Sequence, residues 1–437
     1  MDGPAGFKFN PGTALSPAYR NFFFVTNAPR GHQYAFRVEV SGDSFKMHDE
    51  HEIGSGHALV GLAFGPDGGL YGADWDGGYP LDQKGAVIRI DVDEADRAPG
   101  RKEVQQLLAT GFRQRSDDEL QRLLGHRDMR IRMGAQFALV EHKQTQRLIN
   151  VLNDRKADRL ARLHCVWGLG QLARSDDADA SAALIDALQV NDWVIQAQAA
   201  KTIGESPLGD SKPLIDLLNH PDLHVRVNAG LALARHPDER ASFLLFPQAA
   251  LLSEDQHYLR HSIAVALAAC APSEKLAKQV KNPSVMCRLT CVVALRHQQS
   301  DLVAGFLSDS SDWVATEAAR AIHDDQSINK ALSALAQSLD DVQRSEFYIR
   351  RAINANFRIG TTSAANRLLR YASNADHPQK MRVDACTAIG QWFDPPVLDR
   401  VEGRRRDLPL DSRMLDREST AEAVSYTHLT LPTIYSV

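Results

Sequence analysis

Cysteine is scarce: the 437 residues hold five, Cys165, Cys270, Cys287, Cys291 and Cys386, an odd set spread thinly along the chain. That usage argues against a disulfide scaffold, and with no Cys-x-x-Cys-His anywhere there is no haem-attachment site. Positive charge is not in excess either. Lys plus Arg number 50 against 55 Asp plus Glu, a formal charge of -5, so no global basic field draws the chain to nucleic acid or anionic lipid. No stretch approaches the ~18 uninterrupted apolar residues of a membrane span. The first 25 residues lack the basic start, apolar core and small-residue cleavage site of an export signal. Gly-x-Ser-x-Gly, phosphate-loop and dinucleotide fingerprints are absent as well. At 43% hydrophobic and 24% charged, what remains is a soluble globular composition, long enough for two or three domains of ~150 residues.

Residues 1–93 carry most of the glycine-rich turns, and their apolar residues alternate with period two, as in Tyr34, Phe36, Val38 and Val40. The pattern predicts six strands, at about 22–27, 34–40, 44–48, 58–64, 69–74 and 85–92, with a tight turn at Phe64 to Gly68 and a longer loop from Trp75 to Lys84. Residues 94–102, with Pro99 and Gly100, read as a charged linker. From 103 to 393 the period becomes that of amphipathic helices.

The helical part repeats. A column runs Arg132, Arg162, Gln196, Arg226, Arg260, Arg288, Thr316, Arg350, Arg382: nine units over 250 residues, a mean step of about 31. Four residues earlier stand Asp128, Asp158, Asp192, Asp222, Gln256, Ser284, Asp312, Glu346 and Pro378, mostly residues that cap or charge a helix N-terminus. Three residues after the column the side chains are mostly small (Ala135, Cys165, Ala199, Ala229, Ile263, Cys291, Ala319, Ile353, Ala385), and seven after it mostly large and apolar, from Leu139 to Ile389, with His323 the one polar member. Those two positions share a helical face, and a shorter helix precedes each unit. Two helices per repeat that cannot bury their faces alone, stacked on like neighbours, predict an α-solenoid.

The Asp-x-x-x-Arg opening and the small and leucine positions over 128–390 resemble HEAT repeats in their short, lyase-type form. The segments Gly6-Phe-Lys-Phe-Asn-Pro-Gly-Thr-Ala-Leu-Ser-Pro-Ala-Tyr-Arg-Asn21, Phe64-Gly-Pro-Asp-Gly-Gly-Leu-Tyr-Gly-Ala-Asp-Trp75 and Lys84-Gly-Ala-Val-Ile-Arg89 resemble the closing blades of glucose/sorbosone dehydrogenase-like β-propellers. Together they imply a mainly α chain: a HEAT-like α-solenoid of about nine repeats at 103–393, preceded by a partial β-propeller of about one and a half blades at 1–93. Residues 394–423 are expected to be extended or briefly helical, and 424–437 resemble translated transposon-end adapter sequence, an artefact. The resemblance implies the C-terminal part of an exported quinoprotein, periplasmic or extracellular, whose repeats dock a protein partner or neighbouring domain. The fragment itself is expected to be inactive, while its parent would take pyrroloquinoline quinone and calcium. The alternative is a non-enzymatic HEAT scaffold with a degenerate propeller attached.

Candidate chemistry gathers on one expected blade face: His48, Asp49, Glu50, His51 and His57 with Asp74, Trp75, Asp76, Asp82 and Lys84. Of these, Asp74, Trp75 and Lys84 are the candidate cofactor-binding residues, carboxylates suiting calcium and Lys the quinone carboxylates. The plainer reading is solvated loop groups beside a blade-packing Trp. Cys165 and Cys291 fall on core positions, and Cys287 with Cys291, spaced i and i+4, finds no His pair to complete a zinc site. The Arg column reads as an internal Asp-to-Arg ladder in preference to a phosphate-binding stripe. His164, His224, His257, His261 and His323, at unrelated offsets, read as surface or capping residues.

Overall fold

The computed structural model describes residues 3–28, 30–75, 84–324, 326–340 and 344–406, with Leu408 and Arg413. The tail 424–437 lies outside the described residues, as do Asp76 and Asp82. Two compact units result, one of residues 1–236 with 256–259, the other of 237–255 with 260–437.

The first unit begins with two antiparallel meanders. One has order β1-β2-β3-β4, from β1 (Gly3–Phe9), β2 (Phe23–Ala28), β3 (His32–Ser41) and β4 (Ser44–Ser55); the other has order β5-β6-β7, from β5 (Leu59–Phe64), β6 (Leu70–Asp74) and β7 (Ala86–Ile90). Phe22, Phe24, Ala35, Leu59, Leu62 and Leu70 form their shared core. Gly6 permits that packing, since a Cβ there would stand 3.0 Å from the Gly61 backbone. Six strands fall where alternation placed them. β1 was hidden by its Gly-Pro-Ala-Gly start, and β4 runs on to Ser55, so His48 to Ser55 is strand and not loop. Alternation fails there because β4 is the sheet's outer strand, and its run His48 to Glu52 supplies the charge that such an edge needs. The turn at Phe64 forms as expected, with Gly65 N–H donating to Gly69 O (2.9 Å) and Gly68 at positive φ.

The rest is an α-solenoid of helix pairs in which a first helix, in most repeats the shorter, precedes each second one. The second helices are α1 (Met129–Glu141), α2 (Arg159–Ala173), α3 (Trp193–Ile203), α4 (Leu223–Leu233), α5 (His257–Cys270), α6 (Val285–His297), α7 (Asp312–Asp324), α8 (Glu346–Ile359) and α9 (Gln379–Gly390). All nine small-column residues and all nine seven positions after the Arg column are buried to 2% exposure or less. A 3.6-residue turn puts both positions on one face, and stacking hides that face between neighbours.

The sheets are bonded to the helices within this unit. Met129 N–H, one of the donors that α1 leaves unpaired at its start, donates to Pro11 O (2.7 Å), and Thr13 Oγ1 donates to the fully buried Asp128 (2.5 Å). Gly12 sits at this joint with φ 117°, where a Cβ would meet Arg127 O at 2.3 Å. Arg130 Nη1 donates to Gly65 O (2.7 Å), and at the tip of the β3–β4 hairpin buried Asp43 accepts from Leu259 N–H (2.7 Å). The expected linker is a packed joint: a helix starts at Arg101, whose buried guanidinium donates to Leu15 O (2.7 Å) and holds Asp91 (2.7 Å). Of the charges that suggested a loose connection, Arg101 and Arg97 turn to Asp91, whereas Glu94, Asp96 and Lys102 stay exposed.

Candidate binding surface

The first four second helices are capped at their starts by the Asp column. Asp128, Asp158, Asp192 and Asp222 accept from the backbone N–H two residues on, at 2.8–3.1 Å, as N-caps. The Arg column does something other than the expected ladder. Arg162 Nε donates to Leu152 O (2.8 Å), Gln196 Nε2 to Leu188 O (2.9 Å), Arg382 Nε to Ala372 O (2.8 Å), and Arg132 Nη1 to His126 O (2.7 Å). These are carbonyls at or just past the end of the preceding first helix, the acceptors a helix leaves unpaired. The reason is geometric. Column residues lie within one helical turn of the core positions, so their stems point inward and Arg132, Arg162 and Arg288 are buried. Arg288 adds a two-pronged pair with buried Asp309 at 2.7 and 3.0 Å. Arg350, with Glu346 at 2.8 Å, keeps the i, i+4 pairing, as does Thr316 with Asp312 at 3.4 Å.

Five residues after the column lies the opposite, outward face. In the first unit it carries Phe137, Trp167, Lys201 and Leu231, and the three apolar members are 36–48% exposed. Trp193, also exposed, lies beside the ring of His224 (centroids 5.4 Å). Trp167 is held in place from two sides. Its Nε1–H donates to Gln198 Oε1 on α3 (3.1 Å), and its ring meets the edge of His164 (4.9 Å). His164 is buried, against expectation, and its Nδ1–H donates to Gln136 Oε1 (2.8 Å), since an amide oxygen only accepts. Burial first, and Arg132 second, push its pKa down to about 4, so the ring is neutral near pH 7. Between α2 and α3 a cleft of ≈ 250 Å³ opens, lined by Trp167, Gln171, Arg174, Gln198, Lys201 and Glu205. Aromatic area flanked by amides and both signs of charge suits a protein surface. The repeat alignment carried this signal in Phe, Trp and Leu at an off-core column, a column that core-seeking reasoning passes over.

The candidate cofactor residues are only partly assembled. Asp74 ends β6 and accepts from His57 Nδ1–H (2.7 Å), with its carboxylate nearly buried. Trp75 follows, half-buried, its N–H donating to Ala58 O (3.2 Å), and Lys84 stands exposed before β7. The other members are dispersed along β4. Asp49 lies 3.2 Å from His48 and 3.6 Å from Arg37, and His51 is 3.3 Å from Tyr19. Calcium takes 6–8 oxygens. Among the described residues this end of the sheet offers one carboxylate, already held by His57, and one exposed Lys. By themselves these residues complete neither a calcium site nor a site for a tricarboxylate quinone.

In the second unit the polar member of the core column, His323, is fully buried rather than exposed. Asn354 Nδ2 donates to its Nε2 (2.8 Å), which leaves the ring proton on Nδ1 for Asp324 (2.7 Å). His323, Asp324 and Glu402 bring ligand-type atoms within 4.8 Å of one another. Yet Arg351 holds Asp324 (2.8 Å), Arg406 holds Glu402 (2.5 Å), and Arg358 holds Asp399 (2.8 Å). Guanidinium groups thus supply the countercharge that a metal would bring. Burial acts to raise the Asp399 pKa, but N–H donation from Glu402 and Val401, Arg358 and Asn354 outweigh it and bring it down to about 2. The cluster is a buried ion network.

No family model matches the chain, and no curated protein matches it. Among solved structures it is similar to human deoxyhypusine hydroxylase (17% identity, 59% of this chain and 99% of that one, TM-score 0.25). Importin-β follows at 11% identity, 63% of this chain, 46% of that one and TM-score 0.43. The phycocyanin lyase CpcE–CpcF complex of a Nostoc species gives 17%, 73%, 96% and 0.22 in the same order. The solenoid is identified by its own helix order and buried columns rather than by these likenesses.

Proposed function

We propose that the chain is a scaffold that binds a protein partner along the outward face of α1 to α4. The observation that carries this reading is the row Phe137, Trp167 and Leu231, exposed at one repeat position on three of the four helices α1 to α4 and bordered by the cleft between α2 and α3. Large apolar groups kept in water at a repeated position are characteristic of a contact surface. A photo-crosslinker at Trp167 or Leu231 should trap one discrete protein from an extract of the source organism, while one at exposed Lys156 should not. Equal products at all three sites, or none, would overturn the reading.

The finer reading is that the parent is an exported propeller dehydrogenase, periplasmic or extracellular. It is supported by the motif resemblance and by two successive antiparallel meanders packed on one core. In that parent the quinone and calcium sites are built by other blades, with Asp74, Trp75 and Lys84 contributing at the rim. Genomic DNA should then show an in-frame upstream propeller with a signal peptide and a downstream Cys-x-x-Cys-His. The isolated chain, given quinone and calcium, should reduce no dye above the cofactor blank. Flanking stop codons or unrelated reading frames would sink the finer reading and leave the scaffold intact.

A further inference from the structure

The four-stranded sheet has two apolar faces, and one of them is uncovered. Phe24 and Ala35 point to the core shared with the second sheet. On the other face the register sets Phe9, Phe23 and Phe36 side by side, with Phe7 next to Val25 and Tyr34. Phe7 and Phe36 both stack on Phe23, at centroid distances of 5.4 and 5.6 Å. The β3–β4 hairpin prolongs this face with the cross-strand pairs Val38–Met47 and Val40–Phe45. Phe7, Val38, Val40, Phe45 and Met47 are 38–60% exposed. The charged pair on this face, His32 with Glu52 at 3.2 Å, lies beyond Tyr34, away from the phenylalanine row and the hairpin.

We propose that this face is where two copies of the chain associate, sheet against sheet. At about 150–250 Å² per large side chain, the five exposed residues alone offer roughly 500 Å² of apolar surface. Two copies together would bury about 1,000 Å², the lower bound for a specific interface between proteins. The molecule already displays the complement such a face takes. Its other side is covered by the sheet face that carries Leu59, Leu62 and Leu70, an apolar layer of the kind that a second copy of this face would supply. A twofold contact sets the phenylalanine row against itself, as a self-complementary patch requires. Association along the strand edge is disfavoured by His48, Asp49 and Glu50 on β4. At its hairpin end this surface reaches the helices, Phe45 meeting the ring of His224 on α4 (centroids 5.5 Å), whereas Trp167 and Leu231 are not among its residues.

Sedimentation velocity on the full chain from micromolar concentration upward tests it. The wild-type chain should sediment with the mass of two copies. The double variant Val38→Glu with Val40→Glu should weaken the dimer by about 100-fold or more, since four like charges would enter one apolar contact. Val87→Glu, exposed on the second sheet, should leave the dimer intact. Circular dichroism matching wild type establishes that the double variant is folded; if it is not, Phe7→Ser serves in its place and should also weaken the dimer. A wild-type monomer throughout, or a dimer that folded variants of this face do not weaken, would overturn the proposal.

Discussion

The two units deal differently with helix ends and core positions built to one repeat. In the first, strands cover the start of α1. Pro11 and Thr13 meet Met129 and Asp128, and Asp43 meets Leu259. In the second, the apolar column is interrupted by His323, and the core turns polar around Asp324, Arg358 and Asp399. The lesson is that the interior of a repeat array is interchangeable, whereas its departures are local solutions. Backbone donors at a helix start accept any well-placed oxygen, so strands far off in sequence can serve. A buried histidine accepts only a network that satisfies both ring nitrogens and neutralises every carboxylate beside them.

The largest effect should come from removing the sheets. A chain of residues 93–437 should stay largely helical but melt about 10 °C or more below the full chain, because at least four buried hydrogen bonds of ~1 kcal/mol or more each disappear along with apolar contacts. Hydrogen exchange should place the loss in α1 to α4, and unchanged protection there would mean that the strands only rest on the helices.

Next comes Asp399→Ala, which leaves the buried Arg358 guanidinium without its main partner and should cost about 3–5 kcal/mol by urea unfolding. A cost below about 1 kcal/mol, the value of a surface pair, would make the network solvated.

Acid should weaken the first unit through His164. Its folded pKa of about 4 lies below the ordinary 6.5, so on acidification the unfolded chain takes up the proton first. Its contribution is therefore present above pH 6.5 and is lost progressively between 6.5 and 4, about 1–2 kcal/mol by pH 5. His323, also held below the usual range by burial, acts in the same direction in the second unit. Replacing His164 with Leu should flatten the pH slope whatever it does to stability at pH 8; a slope unchanged by the substitution would refute the assignment. The Asp399 carboxylate, lowered to about 2, adds a separate loss only as pH falls from about 4 toward 2.

The smallest effect on folding should be that of Trp167→Ser. The residue lies on the outward face, and the substitution should shift stability by no more than about 1 kcal/mol while abolishing crosslinking at Leu231. A larger shift would make Trp167 a packing residue.

Much of the solenoid was legible because its physics is local and repeated. Ala229 and Leu233 can be assigned to the core from spacing alone, since 3.6 residues per turn leaves them one face to share and neighbouring repeats repeat the constraint. The Asp caps were legible for the same reason: the oxygen and the N–H that it accepts are two or three residues apart. The arginine partners were not, because Arg162 and Leu152 O are brought together by how two helices cross, which side-chain type does not encode.

What the amino-acid order determined by itself was therefore the periodic part: the second helices, their caps, their buried columns and six of the seven strands. Tertiary structure alone decided that Asp43 would meet Leu259 across 216 residues, that His323 would find Asn354 and Asp324, and that Asp74 would be held by His57. The division follows from range. Backbone periodicity and capping act over one or two turns and leave a mark in spacing, whereas a single long-range hydrogen bond needs only one donor and one acceptor, and almost any polar residue in the chain could have supplied either.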